Sequence, residues 1–320
     1  MTATPKGPTI ALRVAAVTPL SPTLKAFTFV PAAGGLVPPS GPGAHLRLFL
    51  RDGGKLHKNA YSLIANPADR SHLSIIVRRV AASKGGSAFL HEQLGEGDVI
   101  EAGLPANLFP VTRTARRHLM VSGGIGVTPF LAYIAAFAAE GTPWELHHFC
   151  RPDEREVFAA LLAPYAGGSL HIHCDGTLDG LDAALRRQPL GTHLYTCGPE
   201  SLMGAVLGQA QALGWPKVRL HSESFGGAVA GGAPFIAVLK RSGIEVAVDA
   251  ETGLLDAIEA AGVEAPCLCR GGACGQCLIE VADGVPEHRD HFLDAEERAS
   301  NRFIMTCVSR SRTPRLVLDL

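Results

Sequence analysis

Cys269, Cys274 and Cys277 form a C-x4-C-x2-C run, and Cys307 follows after 29 intervening residues. No other feature constrains the fold as tightly, because this is the ligand spacing of a plant-type [2Fe–2S] cluster. Gly271, Gly272 and Gly275 lie between the sulfurs and let a tight loop aim its N–H groups at them. A four-cysteine zinc site is the competing reading, but such sites show paired C-x2-C hooks on both sides. A disulfide framework is not expected in a 320-residue chain with no visible secretory leader. Cys267, two residues ahead of the loop, reads as a packing position. Cys150, Cys174 and Cys197 read as small buried hydrophobes at the ends of apolar runs.

The length allows two or three domains, each with its own core. A formal net charge of −1 and 47% hydrophobic residues describe an ordinary soluble protein. Neither nucleic acid nor an anionic membrane is expected as a partner, and no apolar run of about 18 residues is present to span a bilayer. A cytoplasmic protein with reduced thiols is expected.

The chain reads as three segments. Residues 9–111 hold short β-type runs (TIALRVAAV, LKAFTFV, HLRLFL, LSIIVRRV) broken by Gly and Pro turns, which predicts a small antiparallel barrel or sandwich with little helix. Residues 118–225 alternate apolar runs (HLMVSGG, WELHHFC, LHIHC, HLYTC, KVRLHS) with helical patterns near 129–140, 154–163, 179–187 and 199–213. That alternation predicts an α/β parallel sheet with helices on both faces. Residues 234–320 give two strands, a helix at LLDAIEAAG, the cysteine loop and further short strands, an α+β pattern. The stretch GGAVAGGAP (226–234) reads as a linker.

In the middle segment GGIGVTP (123–129) joins a strand end to a helix start, and CGPESLM (197–203) does so again. Such turns let a backbone approach a pyrophosphate under the free N–H groups of a helix, and in a doubly wound sheet they share one edge. In the first segment NAYSL (59–63) offers an aromatic–hydroxyl pair, Tyr61 and Ser62, for a flavin ring and phosphate. SKGGS (83–87) places Gly85, Gly86 and Ser87 at a second anion-binding turn. Two phosphate-type turns in separate segments imply two nucleotides. His147-His148 and His171-x-His173 read as solvent-facing or hydrogen-bonded, with no third metal ligand suggested nearby.

Taken together, YSL (61–63), GGIGVTP, CGPESLM, ESF (223–225), CRGGACGQC (269–277), GVPEHRD (284–290) and CVSRS (307–311) resemble the phthalate dioxygenase reductase family, which includes vanillate O-demethylase reductases. The resemblance covers essentially the whole chain. It implies a flavin β-barrel at 1–112, an NAD-binding α/β domain at 113–226, a linker at 227–233 and a β-grasp ferredoxin domain at 234–320. Cys269, Cys274, Cys277 and Cys307 would hold the cluster. A hydride from NADH would arrive as two electrons and leave one at a time, through FMN and the cluster, to a Rieske-type oxygenase.

The resemblance also implies site roles. Asn59 stands where the family carries the arginine of its Arg-x-Tyr-Ser motif, so phosphate charge would come from Lys58, Arg78, Arg79 and Lys84. The flavin site would be Asn59, Tyr61, Ser62, Leu63, Lys84, Gly85, Gly86 and Ser87, with FMN expected over FAD. Gly123, Gly124, Gly126, Thr128, Pro129, Cys197, Gly198 and Pro199 would receive the nicotinamide nucleotide, Phe225 would cover the flavin ring or hold the nicotinamide's place, and Phe225, Thr128 and Cys197 would be the catalytic set. His288 and Arg289 would be structural, and the charged run Asp294–Arg298 a solvated helix start that could help dock an acceptor. In HHFCRPDERE, Asp153 and Glu154 could bind a ribose diol and Arg151 and Arg155 a 2′-phosphate, with NADH expected. A monomer is expected. Two rivals are an electron-transfer subunit feeding a non-oxygenase acceptor, as in dihydroorotate dehydrogenases, and a non-enzymatic redox sensor.

Overall fold

The computed structural model describes residues 8–80, 85–165, 169–225 and 231–320, so Lys84 and most of the expected linker lie outside the described residues. Seven strands open the chain: β1 (Thr9–Ser21), β2 (Leu24–Pro31), β3 (Ala44–Asp52), β4 (Lys55–Ser62), β5 (Leu73–Arg78), β6 (Val99–Gly103) and β7 (Ala106–Asn107). One short helix, α1 (Gly86–Glu92), precedes β6. The strands pair antiparallel in the order β4-β3-β6-β1-β2-β5, with β7 on β3. Strand β2 shows why: Phe27 and Phe29 on one face are fully buried in the core of this sheet, while Leu24 and Ala26 on the other face pack toward the second core and Thr28 and Val30 are half-buried.

The second sheet is parallel. Strands β8 (Arg117–Gly123), β9 (Trp144–Phe149), β10 (Ser169–His173), β11 (Thr192–Cys197) and β12 (Leu220–Glu223) lie in the order β10-β9-β8-β11-β12. Helices α2 (Thr128–Glu140), α3 (Arg155–Leu162), α4 (Asp179–Arg186) and α5 (Glu200–Ala212) alternate with them, each within two residues of the pattern read from the sequence. Met120, Leu146 and Tyr195 face α2 and α3, while Leu119, Val121 and Leu194 face α4 and α5, so both faces are covered. Leu24 and Ile76 of the first sheet share the core of Phe130, Tyr133 and Tyr195, which welds the two sheets into one compact unit ending at Glu223.

The second compact unit begins at Ser224. It contains β13 (Phe235–Leu239), β14 (Ile244–Val248), α6 (Leu254–Ala260), β15 (Leu278–Asp283), β16 (Pro286–Glu287), α7 (Ala295–Ser300), β17 (Phe303–Met305), β18 (Arg310–Ser311) and β19 (Arg315–Leu318). The mixed sheet runs β14-β13-β19-β15-β17, with β13 and β19 parallel, and α6 packs its Leu254, Ala257 and Ile258 onto it. Asp294 caps α7 in a reciprocal capping box with Glu297, the solvated helix start expected from the charge run. Arg310 is 1% exposed; its Nη1 donates to Thr252 O and its Nη2 to Asp249 O and Ala233 O, while its Nε is buried without a partner among the described residues and the guanidinium lies over the Phe235 ring. No helix among the described residues is long and apolar enough to cross a membrane.

Candidate functional site

The cysteine loop runs between α6 and β15 and brings its sulfurs together in two pairs. Cys277 and Cys307 are buried with Sγ atoms 2.9 Å apart, and Cys269 and Cys274 share a side-chain hydrogen bond. Gly271 N–H lies 3.3 Å from Cys269 Sγ. The Cys274 thiol and the N–H groups of Ala273, Gly271 and Cys274 hold Cys269 below its ordinary value, while the same shared hydrogen bond pushes Cys274 up. Gly272 (φ 73°) and Gly275 (φ 77°) adopt backbone that side chains disfavour, and a Cβ on Gly275 would collide with the Phe292 ring.

The pairing separates the two metal readings. A tetrahedral zinc with Zn–S near 2.3 Å needs four sulfurs mutually about 3.8 Å apart. Among the described residues no three of these sulfurs lie within 4.8 Å of one another. Two pairs fit two irons, so the residues suit a [2Fe–2S] cluster. Cys267 packs beside Leu255, Met305 and Cys277, as a packing position should.

In the parallel sheet the two glycine turns meet. Strands β8 and β11 are neighbours, and the order reverses between them, which is where ligands collect in such sheets. A Cβ on Gly126 would stand 2.6 Å from Cys197 C and 2.7 Å from Gly198 Cα, and one on Gly198 2.7 Å from Gly123 N. The turns after β8 and β11 are therefore packed backbone to backbone, and α2 and α5 start from them. Thr128 is buried and its hydroxyl donates to Ile125 O at 3.0 Å, locking the turn, while Pro129 opens α2. Cys197 is fully buried, and burial, with Glu223 nearby, pushes its thiol well up, so it packs as a neutral group.

In the first sheet Tyr61, Ser62 and Leu63 close β4 and follow it. The Tyr61 hydroxyl and Ser62 Oγ are buried with no hydrogen-bond partner in the protein. Two orphaned hydroxyls at consecutive positions of β4, on its opposite faces, are each costly unless a ligand or other polar group completes them. Gly85 and Gly86 press onto β4: a Cβ on Gly85 would be 2.6 Å from His57 Nε2, and one on Gly86 2.7 Å from Asn59 Cγ. Ser87 Oγ accepts from Val80 N–H at 3.3 Å. Phe225 belongs to the second unit and is 41% exposed.

Some residues the sequence offered for ligands are engaged with each other. Arg78 Nη1 lies 2.5 Å from Glu154 Oε1, and Arg151 Nη2 3.2 Å from the same oxygen. Arg79 pairs with Glu92 at 2.6 Å. Glu154 is thus committed to a bridge between β5 and the segment after β9, while Asp153 stays exposed. Arg155 reaches Ile172 O at 3.3 Å. Two further groupings escaped the sequence: Cys150 and Cys174, with Sγ atoms 3.1 Å apart, and Glu145, which joins His147 and His171. His148 is instead fully buried against Ser122 Oγ at 2.8 Å.

The bridge gives a first prediction. Burial pushes the Glu154 carboxyl up, but hydrogen bonds from Arg78 and Arg151 more than offset it, leaving it below its ordinary value. Arg78→Ala should cost about 1–3 kcal/mol at neutral pH, because a mostly buried carboxylate loses its main donor. A lowered carboxyl stabilises the fold above its unfolded value and ceases to as pH falls through the folded one. The deficit should therefore shrink in acid. Urea melts of both proteins at neutral and acidic pH check this; equal stability at neutral pH would refute the bridge.

Two family models match the chain. One, described as a 2Fe-2S iron-sulfur cluster binding domain, covers residues 238–312. The other, the N-terminal domain of a dimethylamine monooxygenase subunit DmmA-like family, covers residues 100–220. The chain is 44% identical over 311 residues to the heme-dependent oxidative N-demethylase beta subunit of Ectopseudomonas mendocina, covering 97% of this chain and 98% of that protein. It is 40% identical over 315 residues to the carnitine monooxygenase reductase subunit of Escherichia coli, covering 97% and 98%. Among solved structures, phthalate dioxygenase reductase, described as modular for electron transfer from pyridine nucleotides to [2Fe-2S], superposes with a TM-score of 0.80 at 30% identity, covering 98% of each chain.

Proposed function

The chain belongs to the phthalate dioxygenase reductase-like family, and from that premise we propose that it carries electrons from NADH through FMN and a [2Fe–2S] cluster to a terminal oxygenase. It is an oxidoreductase with a flavin and nucleotide fold and a plant-type ferredoxin domain. The observation that carries the reading is the pairing of four cysteines for two irons in a chain that also packs two glycine turns together at a sheet switch point. When bound, the flavin would accept hydride from the nicotinamide and release its electrons singly to the cluster.

The residues would work by placement. Gly123, Gly124 and Gly126 would bring backbone N–H groups to the pyrophosphate, with α2 behind them. Thr128 and Pro129 would fix the turn. Gly198 and Pro199 would border the nicotinamide, and Cys197 would support them through its buried backbone rather than by thiol chemistry. Tyr61, Ser62 and Leu63 would line the flavin, and Gly85, Gly86 and Ser87, supported by Asn59, would face its phosphate.

FMN is the proposed flavin because a terminal phosphate needs local donors and charge rather than room for adenosine. Lys58, Arg78, Arg79 and Lys84 are the proposed sources of that charge, with Arg78 and Arg79 also held by Glu154 and Glu92. Heat-released flavin should run as FMN on chromatography, and Lys84→Ala should weaken its retention more than Asn59→Ala; released FAD would reject this assignment. For the nucleotide, exposed Asp153, in a 3.7 Å ion pair with Arg151, is the group proposed to meet a ribose diol, so kcat/KM should be higher for NADH than for NADPH. The opposite order would overturn it.

The proposed acceptor is a Rieske-type oxygenase. The 44% identity to a subunit of a heme-dependent demethylase favours a second reading, in which the acceptor holds heme. NADH-driven reduction of each purified oxygenase class separates the two. A cytoplasmic monomer is the proposed working form.

A further inference from the structure

Strands β9 and β10 are parallel neighbours whose register sets His147 beside His171. Side chains alternate along a strand, so Glu145 and His147 share a face with His171 and His173, toward α4. There Glu145 Oε1 lies 3.0 Å from His147 Nε2 and 3.9 Å from His171 Nε2, and the three ligand atoms all fall within 4.8 Å of one another. Ligand atoms bound to one tetrahedral zinc at 2.0–2.1 Å stand about 3.3 Å apart. Small side-chain shifts close that difference.

The surroundings are arranged as those of metal ligands are. Glu145 Oε2 accepts from Arg117 Nη2 at 2.9 Å and from Gln188 Nε2 at 3.0 Å, which leaves Oε1 for the ion. His147 Nδ1 lies 3.0 Å from His173 Nε2, which fixes the ring and turns its Nε2 to the site. The His147 ring is stacked on those of His171 and His173, at 4.6 and 5.1 Å between centroids. Gly180 on α4 leaves room for this stack, since a Cβ there would be 2.8 Å from His173 Cε1. A cavity of about 470 Å³ opens on Glu145, His147 and His171. Hydrogen bonding accounts for the buried His147, but not for His171, whose Nε2 reaches only a distant carboxylate oxygen.

We propose that Glu145, His147 and His171 bind one divalent transition-metal ion, separate from the iron–sulfur cluster, with a water from the cavity as fourth ligand. Two imidazoles and one carboxylate select zinc, nickel or copper over calcium or magnesium. The ion would tie the edge strand β10 to β9.

Equilibrium dialysis of the holoprotein against micromolar Zn2+, with zinc and iron counted by plasma mass spectrometry, tests the site. One zinc per chain beyond the iron is expected in the wild type. His171→Ala removes a side chain 48% exposed, which spares the fold, and should weaken zinc at least ~10-fold. A Cys150→Ser, Cys174→Ser double variant should keep it. No bound zinc, equal affinity in His171→Ala, or loss only in the cysteine variant would each overturn the proposal.

Discussion

Cys307→Ser should strip the iron–sulfur cluster from the protein and leave the flavin in place. Cys307 is 3% exposed, and its sulfur pairs with Cys277 at 2.9 Å, so solvent is not placed to substitute for it. A serine hydroxyl is a harder, far weaker acid than a thiol and does not replace thiolate on iron. The cluster lies in a compact unit distinct from the one that holds the flavin-type and nucleotide-type turns. NADH-driven reduction of ferricyanide should therefore change less than about twofold, while reduction of cytochrome c or of an oxygenase falls at least ~100-fold, the equivalent of about 2.7 kcal/mol. The same split should follow Cys274→Ser. Retention of both activities and of the visible cluster absorbance would show that these cysteines are not ligands.

Gly126→Val should damage nucleotide binding as severely. Its Cβ would meet backbone, 2.6 Å from Cys197 C and 2.7 Å from Gly198 Cα, and Cys197 is fully buried with nowhere to retreat. The two turns must move apart, which costs about 1–3 kcal/mol or more in a packed interior. If those turns receive the nicotinamide nucleotide, the KM for NADH should rise at least ~30-fold, about 2 kcal/mol of binding. Iron and flavin contents should be unchanged, and dithionite should still reduce the cluster. An unaltered KM in a folded variant would remove the switch-point turns from the nucleotide site.

Features carried by local chemistry were legible in the sequence. The cysteine spacing needs only counting. Two of the four helices of the parallel sheet, α2 and α5, start where Gly and Pro mark the turn, at Pro129 and at Gly198-Pro199, and α2 stops at Gly141. The charged run at 294–298 reads as a solvated helix start, and Asp294 and Glu297 form its capping box. What stayed hidden depends on strand register and on partners far apart in the chain. Arg78 reads as a phosphate ligand and Glu154 as a ribose ligand, and the fold also pairs the two across 76 positions. Glu145 gains meaning only once β10 lies beside β9 in parallel register, which puts His171 next to His147. Nothing local marks Arg310 for full burial, since the carbonyls it donates to come from residues 58 to 77 positions away.

The central claim is that electrons pass along one chain from pyridine nucleotide to an iron–sulfur cluster by way of a flavin. Anaerobic rapid mixing of the holoprotein with NADH, following flavin absorbance and the paramagnetic signal of the reduced cluster together, tests it most directly. The flavin should bleach first and the cluster signal should follow within a single turnover, in the wild type but not in Cys307→Ser. A bleached flavin beside a cluster that stays oxidised, or a cluster reduced by NADH at the same rate in flavin-stripped protein, would contradict it.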